Sequence, residues 1–103
     1  MAIAFDAVTA DSSSSSSFSF THTPVGTPTF VTLHVTNDNT ATYSSMTYGG
    51  VAMTQAGRIA NGKRVAEIWY LNNPASGAQT VAGTLSVKIS NMRAAITYTG
   101  AVA

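Results

Sequence analysis

The chain has no cysteine and little charge, and each of these absences excludes certain kinds of site or partner. With no cysteine in 103 residues, disulfides, thiol chemistry and cysteine-based metal sites are excluded. Charged residues make up only 9% of the sequence and the net charge is +1, whereas about a quarter of a typical globular protein is charged. Phosphate backbones are bound by clustered cations. We therefore expect no nucleic-acid partner.

Long apolar runs are lacking as well. No stretch approaches the roughly 18 consecutive apolar residues that would span a bilayer. Residues 1–6 show neither the basic leader nor the apolar segment of a secretory signal. We expect synthesis in the cytoplasm, no export and no membrane partner. Because net charge near zero leaves little repulsion between copies, the composition also favours close assembly inside a larger structure.

The pattern that is present is that of β-strands. The length fits one domain, 1–103, and strand-like segments recur at short intervals between turn residues without sustained helical periodicity. We predict a single all-β domain, a β-sandwich of about eight antiparallel strands, either jelly-roll-like or immunoglobulin-like. The predicted strands are 2–9, 18–23, 29–37, 43–48, 51–58, 63–72, 79–89 and 93–102.

The connections are predicted from turn chemistry. Asn61-Gly62 favours a tight hairpin between the 51–58 and 63–72 strands, and Gly49-Gly50 favours a second reversal. The tract Ser12–Ser17 follows Asp11. A polar tract of this kind cannot bury apolar surface, so we interpret 12–17 as a flexible serine-rich connector.

The inventory of chemically active groups is short. It consists of two histidines and four acids: His22, His34, Asp6, Asp11, Asp38 and Glu67. No nucleophile elbow accompanies the serines, no third ligand accompanies the two histidines, and no pair of acids is singled out. We expect no enzyme activity, no metal and no cofactor. Asp6 and Glu67 are expected to accept hydrogen bonds or to meet a cation such as Arg64 or Arg93.

The 64–71 strand is apolar on both faces. One face carries Ala66, Ile68 and Tyr70, and the other carries Val65, Trp69 and Leu71 around Glu67. One face could line the core while the other meets a neighbouring subunit, although a loop or the N-terminal arm of the same chain could equally cover it. We expect Trp69 in the core or in a packed interface rather than on an open sugar platform. The candidate assembly interface is Ile3, Phe5, Val65, Trp69, Leu71 and Val102.

Several segments in a fixed order carry a resemblance to a known class of proteins. They are Ile3–Ala7, the serine tract, Phe18–His22, Tyr48–Thr54, the Asn-Gly turn, Ile68–Leu71, Asn73–Gly77 and Ile96–Gly100. Together they span nearly the whole chain and resemble small β-sandwich structural proteins and modules of tailed phages and prophages. None of the segments is a catalytic signature.

The resemblance implies a structural protein of the virion. It favours a capsid decoration, or cement, protein that binds the major capsid protein lattice in many copies, as a homo-trimer or homo-dimer. Two alternatives stay open. One is a carbohydrate- or surface-binding module of a tail fibre or adhesin, with a glycan as partner, and the other is a self-assembling filament subunit that pairs exposed strand edges.

Overall fold

The computed structural model describes residues 3–37, 42–62 and 64–100. These residues form seven β-strands: β1 Ala4–His22, β2 Phe30–Asn37, β3 Tyr43–Tyr48, β4 Val51–Ala52, β5 Thr54–Asn61, β6 Arg64–Asn72 and β7 Gln79–Thr99. The all-β class is confirmed. The described residues contain no helix, and hence none that is long and apolar enough to cross a membrane.

The strands form one antiparallel sheet in which β7 is the central element. Its order is β4-β3-β7-β2-β6-β5, and β1 pairs with β7 off this path. One edge of β7 pairs with β1 from Thr99 back to Gln79. The other edge pairs with β3 up to Leu85 and with β2 from Asn91 onward. The long strands β1 and β7 therefore run through both halves of the sheet.

The sheet curls, and the core lies inside the curl. The sheet divides into two halves at a register shift between β1 and β7. The partner in β7 changes there from Ile89, opposite Ser15, to Thr84, opposite Ser17. The buried cluster draws Tyr48 and Val81 from one half and Leu33 and Val35 from the other. Apolar side chains of the two halves thus cover each other, which is the main source of folding free energy.

The serine tract is not a connector. Ser12–Ser17 lies inside β1, and its residues other than Ser16 pair with the segment of β7 from Met92 to Thr84. Ladder hydrogen bonds join backbone groups, so a partner strand can order serines that have no apolar surface to bury. The predicted strands 2–9 and 18–23 are consequently parts of one strand, and 79–89 and 93–102 likewise merge in β7. A sandwich of about eight separate strands is not what the described residues show; they form one curled sheet of seven.

The turns agree with their local chemistry. Tyr48 pairs with Val51 across Gly49 and Gly50, whose φ angles of 59° and 82° lie in the left-handed region that glycine adopts without strain. The predicted hairpin between the 51–58 and 63–72 strands is present as β5 and β6, but the predicted 51–58 strand is divided, with Val51–Ala52 in β4 and residues 54–58 in β5. The turn of the hairpin begins one residue later than predicted, because the strand pair nearest the turn is the one between Asn61 and Arg64.

Candidate functional site

The convex side of the half of the sheet built from β5, β6, β2, β7 and β1 is the candidate site, and we call it the outer face. In an antiparallel sheet, residues directly opposite each other lie on the same face. Three rows of such residues cross all five strands, and a fourth crosses four of them. They are Ile59, Ala66, Thr36, Met92 and Ser12; Gly57, Ile68, His34, Ala94 and Ala10; Thr54, Tyr70, Thr32, Ile96 and Val8; and Asn72, Phe30, Tyr98 and Phe5.

Large apolar side chains of the outer face are exposed to solvent. Ile59 is 73% exposed, Phe5 63%, Met92 62%, Val8 55% and Ile68 42%. Five strands about 4.8 Å apart, with seven or eight residues each rising about 3.3 Å, give a face of roughly 600 Å². Part of that area belongs to Thr, Ser, His and Asn side chains, so its apolar share lies within the range of about 300 to 600 Å² of the largest patches on monomers, and such patches are often functional.

The outer face is almost free of charge. None of the described residues in its four rows is acidic, and Arg64 is the cation at its margin. His34 lies near the centre of the face, where its Nε2 is 3.1 Å from Thr32 Oγ1. A partner that docks here would therefore meet apolar groups and hydroxyls and would have no ion pair to form with the centre of the face.

Three aromatic rings gather at one end of the outer face. The ring of Phe30 is 5.9 Å from that of Tyr70 and 6.1 Å from that of Tyr98, centroid to centroid. All three side chains are half-buried, and Asn72 is opposite Phe30 in the same row. Tilted rings at these distances stabilise each other and present one shared apolar surface.

The described acids face inward, away from the outer face. Glu67 is buried, with 1% of its side chain exposed. Its carboxylate accepts hydrogen bonds from Gln55 Nε2 at 2.8 Å, Trp69 Nε1 at 2.9 Å and Arg58 Nε at 3.1 Å. A buried carboxylate is tolerated when it is paired and hydrogen-bonded in this way. The expected cation partner, Arg64 or Arg93, is replaced by Arg58.

Arg93 holds a second inward-facing network. Its guanidinium donates to Asp11, to Ser13 Oγ at 2.9 Å and to Asn91 Oδ1. The same group lies over the ring of Phe18, 4.2 Å from the centroid. The Arg93 side chain is 1% exposed, whereas that of Asp11 is 35% exposed.

A third network surrounds His22, which is fully buried. Its Nδ1 is 2.8 Å from Thr9 Oγ1 and its Nε2 is 3.0 Å from Thr97 Oγ1. The hydroxyl of Thr97 donates its hydrogen to Asp6 at 2.8 Å. The oxygen of Thr97 therefore accepts from Nε2–H of His22, and the Nδ1 of His22 accepts from the hydroxyl of Thr9. Burial lowers the pKa of His22.

Asp6 is tied to the loop that follows β1. Its carboxylate accepts from the backbone N–H of Gly26 at 2.8 Å and of Val25 at 3.1 Å, in addition to Thr97. Burial on its own would raise the pKa of Asp6, but these hydrogen bonds stabilise the ionised form and bring the pKa below its ordinary value. The network thus connects the N-terminal part of β1, its C-terminal end and the loop between β1 and β2.

His22, the imidazole of the third network, is closed off from solvent. The contact between Thr9 and His22 has the distance of a nucleophile and its base, but both nitrogens of His22 are occupied by threonine hydroxyls and the ring has no exposed surface. In the part of the chain that the structure describes, no group of three or more His, Cys, Asp or Glu side chains is placed to hold a metal ion.

The predicted interface residues are divided between the two sides of the sheet. Ile3, which precedes β1, and Phe5 are exposed. Val65 is buried, and Trp69 and Leu71 are partly buried and pack against the core, so these three lie on the inner face. Val102 lies outside the described residues. For β6 the accessible contact surface is therefore the opposite face, with Ile68 at its centre.

Sequence reasoning did not select Val8, Ile59, Ile68 or Met92. A signal for Ile68 was present, because Ala66, Ile68 and Tyr70 form one of the two apolar faces of the 64–71 strand. The sequence has no such signal for Met92, because the pattern predicts a gap there, between the strands 79–89 and 93–102. Only the register of β7 against β2 and β1 brings Met92 into a row with Ile59.

Comparison with known proteins gives no relative: the chain matches no protein-family profile, no curated protein and no solved structure.

Proposed function

We propose that this protein is a non-enzymatic structural component of a phage virion, a decoration protein that binds the capsid lattice in many copies through its outer face. The observation that carries the proposal is the exposure of Phe5, Val8, Ile59, Ile68 and Met92 on one continuous, nearly uncharged sheet face. Apolar area of this extent is unfavourable in water and is stabilised when a partner covers it.

The size of the outer face fits repeated attachment to a lattice. A face of roughly 600 Å² is close to the 800 Å² or so that each partner contributes to a standard protein interface. Contact area alone does not set the affinity of one copy, and occupancy of a regular lattice is raised when copies also contact each other. The curled sheet, with its two halves packed face to face, serves in this proposal as a small sandwich that keeps the outer face rigid.

The other features of the chain agree with a role without chemistry. Its described acids, Asp6, Asp11 and Glu67, are engaged in the inward networks, and His22 is enclosed. The outer face therefore has shape and apolar area but no titratable pair in working position. Binding of this kind is governed by complementarity rather than by ion pairs, so it should depend weakly on salt.

The test is cosedimentation of the purified protein with undecorated phage capsids. Ile68→Asp places a charge at the centre of the outer face, and we expect it to weaken binding at least tenfold. Val87→Asp is the matched control, because Val87 is also β-branched and 43% exposed, against 42% for Ile68, but lies in the register break of β7 outside the four rows. Circular dichroism of both variants checks that they fold. Parent protein that never pellets with capsids, or equal binding by both variants, would contradict the proposal.

A second candidate function, a glycan-binding module, is favoured by one observation. The rings of Phe30, Tyr70 and Tyr98 form a shared surface with Asn72 beside it, and sugar rings stack on aromatic faces flanked by amides. Under this alternative, Tyr98→Ala should abolish retention on a panel of immobilised polysaccharides while Ile68→Asp leaves it intact. Retention on no polysaccharide would remove the alternative.

A further inference from the structure

Strand β1 has one free edge along its length. It pairs with β7 from Ala4 opposite Thr99 to His22 opposite Gln79. Among the residues that the structure describes, no other strand pairs with β1. A free strand edge presents a row of backbone N–H and C=O groups that another strand can complete. At 19 residues, β1 offers the longest such row in the described fold.

The free edge carries few of the features that usually prevent strand pairing: its register shifts lie at Phe5/Ala7 and Ser15/Ser17, at the two ends of Ala7–Ser15 and not within it, and its inward-pointing acids are already hydrogen-bonded or paired. Proteins protect edges with lysine, proline, pronounced bulges or very short strands, and β1 contains no lysine, arginine or proline. Its two acids point inward, where Asp6 accepts from Thr97 and Asp11 is paired with Arg93. The opposite end of the sheet differs, since β5 is only eight residues long, carries Arg58 and has a register shift between Gln55 and Gly57.

One part of β1 is suited to pairing. From Ala7 opposite Thr97 to Ser15 opposite Ile89, the register with β7 runs without interruption, and irregularities bound this segment on both sides. Nine residues in regular extended form exceed the five or six of an average strand. Ser12 and Ser14 are exposed there, and their small side chains let a second backbone approach closely and can hydrogen-bond across a strand pair.

We propose that the segment Ala7–Ser15 pairs in antiparallel register with the same segment of a second copy, about a twofold axis. Two features favour a copy of this chain over an unrelated strand. A segment paired with itself is necessarily antiparallel and closes after two subunits. Its one charge, on Asp11, is offset by Arg93 within the same subunit, so two identical edges can meet with little repulsion. The outer face is left accessible for another partner, and the two contacts are independent.

Because the chain has no cysteine, a disulfide crosslink in a variant comes only from the introduced residues. The double variant Ala10→Cys/Ser12→Cys is prepared, oxidised and analysed on a non-reducing gel. Full pairing of Ala7–Ser15 with itself puts the twofold axis at Asp11 and Ala10 opposite Ser12 of the second copy. Because residues across an antiparallel pair have Cα atoms about 4.5 to 5.5 Å apart, within the range for a disulfide, this variant should give a covalent dimer. Thr84→Cys is the control, since Thr84 is exposed but lies in β7, which is paired on both sides at that point. It should stay monomeric on the gel.

A second measurement does not depend on cysteine. The parent protein should elute as a dimer in size-exclusion chromatography with light scattering. Ser14→Lys places a charge at the edge and should raise the dimer dissociation constant at least tenfold, whereas Ser45→Lys, at an exposed site in β3, should not. A monomer at about 100 µM that gives no crosslink above the Thr84→Cys level would overturn the proposal. Open-ended polymers without a β1 crosslink would overturn it too, because a twofold pair closes after two subunits.

Discussion

Removal of the buried guanidinium of Arg93 should destabilise the fold far more than removal of its carboxylate partner, Asp11. Arg93→Met keeps the length and the apolar stem of the side chain but deletes the donors to Asp11, Ser13 and Asn91 and the contact over the Phe18 ring. Hydrogen bonds to charged groups contribute about 1.5 to 3 kcal/mol each. A desolvated contact between a cation and a ring adds about 2 kcal/mol.

Most of this stabilisation does not appear as a net loss in the variant. The desolvation cost of the guanidinium disappears with it, and replacing a buried ion pair by an apolar side chain is often close to neutral. Asp11 is 35% exposed and can be hydrated again. Asn91 cannot, because it is 2% exposed and its Oδ1 loses the donor that Arg93 supplies. A buried acceptor left without a partner costs about 1 to 3 kcal/mol, so we expect Arg93→Met to lose about 3 kcal/mol.

Asp11→Asn gives the comparison. It keeps a hydrogen-bond acceptor beside Arg93 but removes the counter-charge of a guanidinium that is 1% exposed. Because the Asp11 side is 35% exposed and water can supply part of the compensation, we expect a loss of about 1 kcal/mol. The assay is urea unfolding followed by Trp69 fluorescence, with far-ultraviolet circular dichroism as a second probe. An Arg93→Met protein within about 0.5 kcal/mol of the parent would refute the reasoning that Asn91 depends on Arg93.

Three further predictions address the core. Tyr48→Phe should stabilise the fold by about 1 kcal/mol, because burial raises the pKa of Tyr48 to about 12 and its hydroxyl finds no hydrogen-bond partner among the described residues; a loss on thermal unfolding would contradict this. Gly83→Ala should cost about 1 to 3 kcal/mol by overpacking, since an added Cβ would come within 2.6 Å of Met46 and Phe18; urea midpoints for the parent and the variant measure it. The buried His22, whose pKa is lowered, favours folding when neutral. Its contribution is complete above the unfolded pKa of about 6.5 and is lost as pH falls toward the folded value, so unfolding free energies should drop below pH 6.5 in the parent but much less in His22→Gln.

What the sequence predicted correctly was governed by local chemistry. The reversals at Gly49-Gly50 and after Asn61 follow from backbone preferences that act within four residues. The all-β class follows in the same way, because strand-forming residues recur between turns. No distant partner is needed to read either signal.

What the sequence did not reveal depends on distant partners. Ser12–Ser17 has no apolar pattern, and its strand conformation comes from pairing with β7 some 70 residues away in the chain. The face of β6 that turns inward was also undetermined. A face that includes Glu67 suggests exposure, yet Arg58, Gln55 and Trp69 satisfy that carboxylate and allow its face to be buried. Two residues of this set come from another strand, whose register the sequence pattern does not specify.

The position of β7 at the centre of the sheet sets the order of events in folding. Strands β1, β2 and β3 all depend on β7 for pairing, and Ala4 meets Thr99 across nearly the whole chain. During synthesis, β1 and β3 have no described partner strand for most of their length until Gln79–Thr99 has emerged, although the hairpin of β5 and β6 can form earlier. Folds dominated by such distant contacts form in milliseconds to seconds rather than microseconds. Until then the unpaired strands can aggregate. The hydrophilic serines in the middle of β1 help to keep this long strand soluble while it has no partner.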